Sequence, residues 1–332
     1  MVSEYILGFA ANRYGFNRET LEFIAEGNYS SKQFYSFNKA DKTYILRVVK
    51  NSENDVAQTR AEMDWLCYLS EKGINVSRPL KTLNEELAVL AEENEETFII
   101  TACSKAEGRS FDTNKSDLWN KKVFYNWGKV IGDMHCATKD YKPASETDRR
   151  PEFTNFINES VKIFPTVNKA AEELIAEIMA LPKGRDSYGL VHSDLGPANF
   201  MIDGEQINVF DFDDCKYAWF ALDIAAALTF GMWFGRFNNE GYDFANDIFK
   251  HFLAGYRSAN FLDDFWLSKI PIFLKLYQIA GFAYTHQSVN PNDDTQNEQM
   301  LNIENNILYT GYTIDYSLFS NSTHKGSGKD GF

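Results

Sequence analysis

A polar loop set between two short apolar runs, followed by a hairpin signal, constrains this chain more than any other feature. The segment Gly189–Cys215 reads GLVHSDLGPANFMIDGEQINVFDFDDC. Its loop, from His192 to Asn199, contains a histidine, an aspartate, a Gly-Pro pair and an asparagine. The Asp203-Gly204 pair beyond it lies between two apolar runs and is a strong turn signal. The segment therefore predicts a strand, a polar loop and a β-hairpin in that order.

The predicted hairpin brings polar side chains together at its open end. Asn199 begins the first strand and Asp211 ends the second, so folding at the turn places the two residues side by side. An amide carbonyl and a carboxylate are hard oxygen ligands, suited to Mg²⁺ that carries nucleotide phosphates. Asp194 precedes Asn199 in the same loop, and a carboxylate there can accept the proton of an attacking hydroxyl. These residues predict one cavity with a base and two metal ligands.

The same residues match a known sequence signature. His192-Ser193-Asp194, then Asn199, then Asp211-Phe212-Asp213 resembles the HGD-x4-N and D-[FLW]-[DE] motifs of the aminoglycoside phosphotransferase and choline kinase family, relatives of the protein kinases. The resemblance implies a protein-kinase-like fold that uses ATP and Mg²⁺. It implies Asp194 as the catalytic base and Asn199 and Asp211 as metal ligands. Asp213 is either a second metal contact or a solvated turn residue.

The N-terminal part of the chain extends this resemblance. EGNYSS, residues 26–31, is similar to the family's nucleotide-covering loop. YILRVV places Arg47 where the family has a basic residue that holds the α/β-phosphates, and Lys50 is the alternative for that role. Glu62 matches the ion-pair partner of this basic residue, with a solvated helix face as the alternative, and a hinge is expected near Cys103–Glu107. The implied nucleotide-binding residues are Gly27, Asn28, Tyr29, Ser30, Ser31, Arg47, Glu62 and Cys103.

Two positions of the loop depart from the family pattern, and two other residues are expected to hold its shape and to take no part in the chemistry. Ser193 replaces the usual glycine and Gly196 stands where histidine is common, but neither position supplies a base or a metal ligand. His192 is expected to hold the shape of the loop. Asp223 matches a family aspartate and is expected to anchor the loop, because a charge that opens an apolar helix must find backbone donors.

The hydrophobic pattern predicts an α+β chain with a small N-terminal part and a larger helical part, and the family resemblance implies a bilobed fold and the roles of the two lobes. A small N-terminal nucleotide-binding lobe with an antiparallel sheet and one main helix is expected over residues 1–103, a larger, mainly helical catalytic and acceptor-binding lobe over 104–319, and a disordered tail over 320–332. Strands are predicted at 21–26, 32–37, 43–49, 75–82, 87–92 and 97–103, with a connector over 104–112. Helices are predicted at 3–14, 56–72, 118–138, 168–179, 222–233, 242–260, 262–287 and 296–309.

Charge and cysteine spacing limit the partners and the location. A net charge of −14 argues against a nucleic-acid partner and against docking on an anionic membrane. The apolar stretch Tyr217–Gly235 is long enough to span a membrane, but Asp223 interrupts it, so a buried helix is expected. The four cysteines form no CxxC pair and indicate neither a disulfide framework nor a zinc site. A cytoplasmic enzyme is expected.

The sequence leaves three functions open. The leading interpretation is transfer of the γ-phosphoryl group of ATP to a hydroxyl of a small molecule, for which the family implies an aminoglycoside, choline or ethanolamine, homoserine, methylthioribose or a sugar. A stress-response type of protein kinase is disfavoured because DFDDCKYAWFALD runs almost directly into a helix, without a long activation segment. A nucleotide-binding pseudoenzyme is disfavoured by the intact Asp194, Asn199 and Asp211.

Overall fold

The computed structural model describes residues 2–26, 32–51, 56–111, 120–154, 165–237 and 241–287. Packing divides the chain into two compact units, each assembled from separate stretches. The first comprises Met1–Phe111, Asp140–Pro151 and Ala198–Cys215, and the second comprises Asp112–Lys139, Glu152–Pro197 and Lys216–Phe332. The lobe boundary after Cys103 stays a prediction.

The first unit is built on a five-stranded antiparallel sheet whose strand order is β1-β2-β3-β5-β4. Alternate apolar side chains of the strands, among them Phe37, Leu46 and Val48, pack in one buried cluster with Ile6 and Ala10 of the first helix. The predicted helices and strands of this sheet are therefore confirmed. The elements are α1 (Glu4–Tyr14), β1 (Glu22–Glu26), β2 (Gln33–Lys39), β3 (Lys42–Lys50), α2 (Val56–Glu71), β4 (Ala88–Glu93) and β5 (Glu96–Ser104).

A second, three-stranded sheet of the first unit contains the predicted hairpin. Its strands are β6 (Arg109–Ser110), β8 (Phe200–Asp203) and β9 (Gln206–Val209), in the order β6-β8-β9. The turn of the hairpin uses Gly204 at a φ of 58°, a conformation that glycine adopts without steric cost. The hairpin prediction is confirmed, and the predicted connector over 104–112 contains the short strand β6.

The predicted strand over 75–82 is wrong. Val76 forms an isolated bridge to Val209, and Pro79 forms another to Cys103, so neighbouring parts of this segment reach different strands. Pro79 also has no N–H to donate to a ladder. The segment NVSRPLKT therefore makes two separate contacts, one to β9 and one to β5, and no continuous strand forms.

The second unit is mainly helical. Two of its strands, Tyr188–Val191 and Lys216–Trp219, pair antiparallel, with Lys216 opposite Val191. The helices predicted from residue 118 to residue 287 are confirmed within the described residues, whereas the helix predicted at 296–309 and the tail at 320–332 lie outside them. The elements are α3 (Lys121–Thr138), α4 (Pro165–Met179), β7 (Tyr188–Val191), β10 (Lys216–Trp219), α5 (Phe220–Phe237), α6 (Gly241–Ala259) and α7 (Asp264–Gln287).

Helices α3 and α6 approach each other closely through glycines. A Cβ added to Gly128 would lie 1.9 Å from the carbonyl oxygen of Phe252, and one added to Gly255 would lie 1.8 Å from that of Tyr125. Real Cβ atoms essentially never come so near, so the backbones touch where side chains are missing. This contact fixes the spacing between the two helices that carry His135 and Tyr256.

Helix α5 is the apolar stretch that the sequence flagged as a membrane candidate. In the structure its first two turns are buried in the second unit, and Asp223 is fully buried among them. Over the described part of the chain, no helix combines the length and the apolar character needed to cross a bilayer. The expectation of a buried helix is confirmed.

Candidate active site

The polar loop of the second unit holds Asp194 on a backbone fixed from several sides. Ser193 has a φ of 75°, in the left-handed region, and turns the chain between His192 and Asp194. The ring Nδ1 of the fully buried His192 accepts a hydrogen bond from the Asp194 N–H at 3.3 Å. The indole N–H of Trp127 donates to the Leu195 carbonyl at 3.2 Å. Asp194 itself is half-buried, so its carboxylate is held in place and still reaches solvent.

Asp223 anchors this loop, as the sequence analysis expected. Its Oδ2 accepts the His192 N–H at 2.9 Å, and its Oδ1 accepts the Ser193 N–H. The carboxylate is fully buried, and such a charge is tolerated only when its hydrogen bonds are satisfied. The hydroxyl of Tyr277 on α7 donates to the Ser193 carbonyl. The left-handed turn at Ser193 is thus held through its N–H and its C=O together.

A chain of buried hydrogen bonds supports Asp223 from behind. His135 Nε2 lies 3.1 Å from Asp223 Oδ2, and His135 Nδ1 lies 2.9 Å from the hydroxyl of Tyr256. The Asn260 amide donates to the same hydroxyl at 2.9 Å. Burial raises the pKa of Tyr256, so its hydroxyl is protonated at neutral pH. Because the ionised Asp223 carboxylate can only accept, the hydrogen between it and His135 belongs to Nε2.

The pKa of Asp223 follows from these contacts. Burial acts to raise its pKa, but the hydrogen bond from His135 and the charges and N–H groups around it outweigh burial and lower the pKa. The carboxylate is therefore ionised at neutral pH and is fully engaged. Asp223 acts as a structural acceptor, whereas Asp194 has the exposure that a reacting carboxylate needs.

The first unit brings together the residues predicted to bind metal. The Phe210 N–H donates to the backbone carbonyl of Asn199 at 3.0 Å. This hydrogen bond closes the open end of the hairpin directly beside Asp211. Asp211 is exposed and has a φ of 63°. Phe212 behind it is buried and packs edge-on against Trp65 of α2, with ring centroids 5.4 Å apart. Carboxylate and amide oxygens offered at one hairpin end fit the donor preference of Mg²⁺.

Asp213 lies in a cluster of charges. Its carboxylate forms ion pairs with Arg47 and with Lys32. Arg47 on β3 is buried and makes a bidentate pair with Glu62 of α2, at 3.0 Å and 2.9 Å, and its Nε donates to Thr101 at 3.2 Å. Burial acts to lower the pKa of Arg47, but the Glu62 carboxylate outweighs it and raises the pKa. Within the described residues, no group of three histidine, cysteine or acidic side chains forms a metal site by itself.

Two residues of this cluster were missed by the sequence analysis. Lys32 directly precedes β2 and places its ammonium on Asp213; burial, followed by the charge of Arg47, lowers its pKa. Arg150 is buried, and its guanidinium donates to the carbonyls of Cys215, Gln58 and Asp213. Arg150 therefore clamps the segment after Asp211 to the start of α2. No local motif marks either residue, because each acts on a partner far away in the sequence.

The structure describes two of the remaining candidates for nucleotide binding, Cys103 and Lys50. Cys103 on β5 is half-buried, its sulfur lies 3.8 Å from that of Met63, and burial raises its pKa to about 12. Lys50 pairs with Glu96 at the end of the sheet. Gly27, Asn28, Tyr29, Ser30 and Ser31 lie outside the described residues. Asp194 belongs to the second unit and the metal-binding candidates to the first, so the predicted common cavity stays a prediction.

A comparison with protein families identifies the class of this chain. The sequence model of the phosphotransferase enzyme family matches residues 20–262, which include the sheet, the polar loop, the hairpin and Asp223. Among curated proteins, the chain is similar to amicoumacin kinase of Bacillus subtilis (strain 168), with 33% identity over 326 residues that cover 93% of this chain and 94% of the relative.

Solved structures agree with the family match. An amicoumacin kinase, hAmiN in complex with AMP-PNP, Ca²⁺ and Ami, superposes with a TM-score of 0.84 and 29% identity, over 92% of this chain and 93% of that one. A microcompartment-associated aminopropanol kinase superposes with a TM-score of 0.70 and 18% identity, over 92% and 95% of the two chains, and supports the fold. The chain therefore belongs to the phosphotransferase enzyme family, has its bilobed, protein-kinase-like α+β fold, and is an enzyme of the small-molecule kinase class.

Proposed function

We propose that this protein transfers the γ-phosphoryl group of ATP to a hydroxyl group of an antibiotic of the amicoumacin type. The observation that carries the choice of acceptor is the 33% identity to amicoumacin kinase, which extends over 93% of this chain. The likeness of the structure to an amicoumacin kinase bound to AMP-PNP supports both the nucleotide and the acceptor. The acidic chain, with a net charge of −14, favours an acceptor that carries positive charge.

Asp194 is the catalytic base in this proposal. Its carboxylate accepts the proton of the acceptor hydroxyl as that oxygen forms a bond to the γ-phosphorus and the bond to the β,γ-bridging oxygen breaks, which releases ADP. The half-buried position of Asp194, with its backbone held by His192 and Asp223, supports this role. A base must keep one orientation through the transfer, because a small displacement costs a large factor in rate.

Asn199 and Asp211 are the proposed metal ligands, with Asp213 as a further contact. The position of Asn199 and Asp211 at the open end of one hairpin supports their assignment. Mg²⁺, when bound there, supplies positive charge that offsets the charge of the nucleotide phosphates. Asp213 is held on Arg47 and Lys32, so its oxygens already point towards cations.

The nucleotide is proposed to bind along the first unit. Residues 27–31, Arg47, Glu62 and Cys103 keep the roles that the family resemblance implies. Arg47 lies on β3, Glu62 on α2 and Cys103 on β5. ATP as the phosphoryl donor and the cytoplasm as the location belong to the same proposal. A protein substrate is the second candidate, but the short distance in sequence between Asp213 and helix α5, which begins at Phe220, leaves little room for an activation segment.

An acceptor panel tests this proposal. Purified protein with Mg-ATP is assayed for ADP release in the presence of amicoumacin, an aminoglycoside, choline, homoserine or an amino alcohol. We expect amicoumacin to raise ADP release far above the background and to gain one phosphoryl group by mass spectrometry. A flat panel from protein that binds Mg-ATP would contradict the proposed acceptor class. Labelling of the protein itself by γ-labelled ATP would favour the protein-kinase alternative.

A further inference from the structure

Arg150 is a buried cation that donates hydrogen bonds to three backbone carbonyls. It is 8% exposed, and its guanidinium donates to the carbonyls of Cys215 at 2.8 Å, of Gln58 at 3.2 Å and of Asp213. A charge is costly to bury, and an arginine buried against neutral acceptors must gain from holding them. The rigid fork of the guanidinium lets one side chain bind several acceptors in a fixed arrangement. These three carbonyls therefore indicate what Arg150 holds in place.

Two of the carbonyls belong to the tight turn that follows Asp211. The Cys215 N–H donates to the Phe212 carbonyl at 3.0 Å and closes this turn, and Asp211 immediately before it has a φ of 63°. A residue other than glycine keeps such a left-handed φ only where its surroundings fix the backbone. Because Arg150 binds the carbonyls of Asp213 and Cys215, it fixes the backbone directly after Asp211.

The third carbonyl joins the same turn to helix α2. Gln58 lies in the first turn of α2, four residues before Glu62, so the two residues lie on one face of the helix. Glu62 pairs with Arg47, which also pairs with the carboxylate of Asp213. The turn and α2 are therefore connected twice, once through the side chains of Glu62, Arg47 and Asp213 and once through Arg150 between the two backbones.

The segment that carries Arg150 is itself bound to α2. Residues 140–151 belong to the first unit, although the stretches before and after them belong to the second. Asp64 of α2 accepts a hydrogen bond from the Tyr141 hydroxyl at 2.6 Å and another from the Ala144 N–H at 3.0 Å. The segment is thus attached to the helix before it reaches Arg150, which limits the positions that the guanidinium can take.

We infer that Arg150 is a positioning residue for the metal: its hydrogen bonds hold the turn against α2 and so keep the Asp211 carboxylate in the orientation that binds Mg²⁺. This inference rests on the proposed function, in which Asn199 and Asp211 are the metal ligands. Arg150 acts through the backbone of the turn and not on the metal itself. Groups that orient a metal ligand in this way contribute about 10- to 100-fold to metal affinity.

Binding of Mn²⁺ tests this role without relying on turnover. Mn²⁺ prefers the same oxygen ligands as Mg²⁺, and its binding is followed by electron paramagnetic resonance. The affinity of Mn²⁺ for the complex of the protein with AMP-PNP is measured for the wild type and for Arg150→Met. We expect Mn²⁺ to bind the variant about 10- to 100-fold more weakly. Adenosine, which has no phosphate groups to bring a metal, is expected to bind both proteins equally.

Two further variants separate positioning from stability. Arg13→Met removes another arginine of the first unit, which pairs with Glu86, and is expected to leave the Mn²⁺ affinity unchanged. Arg150→Lys keeps the charge, but its single nitrogen cannot span three carbonyls, so we expect a smaller loss of Mn²⁺ affinity than in Arg150→Met. Thermal melting curves are recorded for all variants. If Arg150→Met does not fold, Arg150→Lys decides the result.

The outcomes distinguish this inference from the proposed function. Wild-type Mn²⁺ affinity in a folded Arg150→Met or Arg150→Lys, or an equal loss in Arg13→Met, would overturn the role of Arg150. An equally large loss of adenosine affinity would overturn it too, because it would indicate general damage to the unit. If the wild type binds no Mn²⁺ in the presence of AMP-PNP, the proposed metal site fails and this inference fails with it. If the wild type binds both but phosphorylates no acceptor of the panel, the choice of acceptor fails while the role of Arg150 stands.

Discussion

Asp213 in the first unit and Asp223 in the second are held by different kinds of partner: cationic side chains hold Asp213, and backbone N–H groups with a histidine hold Asp223. Asp223 is fully buried and accepts from two backbone N–H groups and from His135. Asp213 is partly exposed and is held by two long cationic side chains, Lys32 and Arg47. Backbone donors fix the shape of a loop, whereas side-chain cations can redistribute when a ligand arrives. Asp223 therefore belongs to a fixed part of the enzyme, the loop that carries Asp194, and Asp213 to an adaptable part, the charge cluster with Lys32 and Arg47.

Removal of Asp223, which backbone N–H groups hold in place, should have the largest effect on stability. Asp223→Ala deletes the acceptor of the His192 and Ser193 N–H groups and of His135, all of which are buried. We expect a loss of about 3–5 kcal/mol in the free energy of unfolding, the range for breaking a buried charged network. Urea titration monitored by circular dichroism measures it.

The matched control for Asp223 is another aspartate of the second unit. Asp133 lies on α3 and pairs with Lys129 at the surface, so Asp133→Ala should leave the unfolding free energy unchanged within error. Equal losses of unfolding free energy in the two variants, or a loss below about 1 kcal/mol in Asp223→Ala, would show that Asp223 is not a fixed anchor of the loop.

A substitution in the charge cluster around Asp213 should lower the free energy of unfolding by less than Asp223→Ala does. Glu62→Gln removes the charge that faces Arg47, but Arg47 keeps Thr101 and Asp213 as partners. We therefore expect a loss of about 1–3 kcal/mol in the free energy of unfolding, the size for one hydrogen bond to a charged group. Glu96→Gln, at the exposed pair with Lys50, is the control and should have no measurable effect. A loss in Glu62→Gln as large as that in Asp223→Ala would mean that the cluster does not redistribute.

The smallest change in the free energy of unfolding is expected at Ser193, in the turn that Asp223 anchors. Ser193 has a φ of 75°, and among the described residues its buried Oγ has no hydrogen-bond partner. Ser193→Gly should therefore raise the free energy of unfolding by about 0.5–1 kcal/mol, because glycine adopts this conformation without strain. The same exchange in a regular helix, Ser70→Gly in α2, should lower it by a similar amount. A destabilised Ser193→Gly would show that the serine hydroxyl matters to the loop.

The sequence predicted the parts of the site that depend on local chemistry. The Asp203-Gly204 signal, the strands from residue 21 to residue 49 and the anchoring role of Asp223 all follow from turn chemistry, from alternation or from the cost of burying a charge. Ser193, one of the two residues that depart from the family pattern, occupies a left-handed position, which explains why glycine is usual there.

Long-range contacts account for what the sequence did not predict. Lys32 and Asp213 lie 181 residues apart, and Arg150 reaches Asp213 over 63 residues, so no spacing rule connects them. The segment 75–82 was predicted as one strand, but its bridges go to β9 and to β5 in turn, and these partners are decided by the packing of the unit. Local patterns therefore define the loop and the hairpin, and the packing of the first unit decides which cations meet at Asp213.

Asp194→Asn tests the proposed role of Asp194 as the base of a phosphotransferase. Phosphorylation of the acceptor is followed in single turnover, and the affinity for Mg-AMP-PNP is measured on the same samples. We expect the rate of phosphoryl transfer to fall by about 10²- to 10⁴-fold, the contribution of a general base, while the nucleotide affinity stays within about twofold of the wild type. A variant that transfers phosphate at the wild-type rate would contradict the assignment of Asp194.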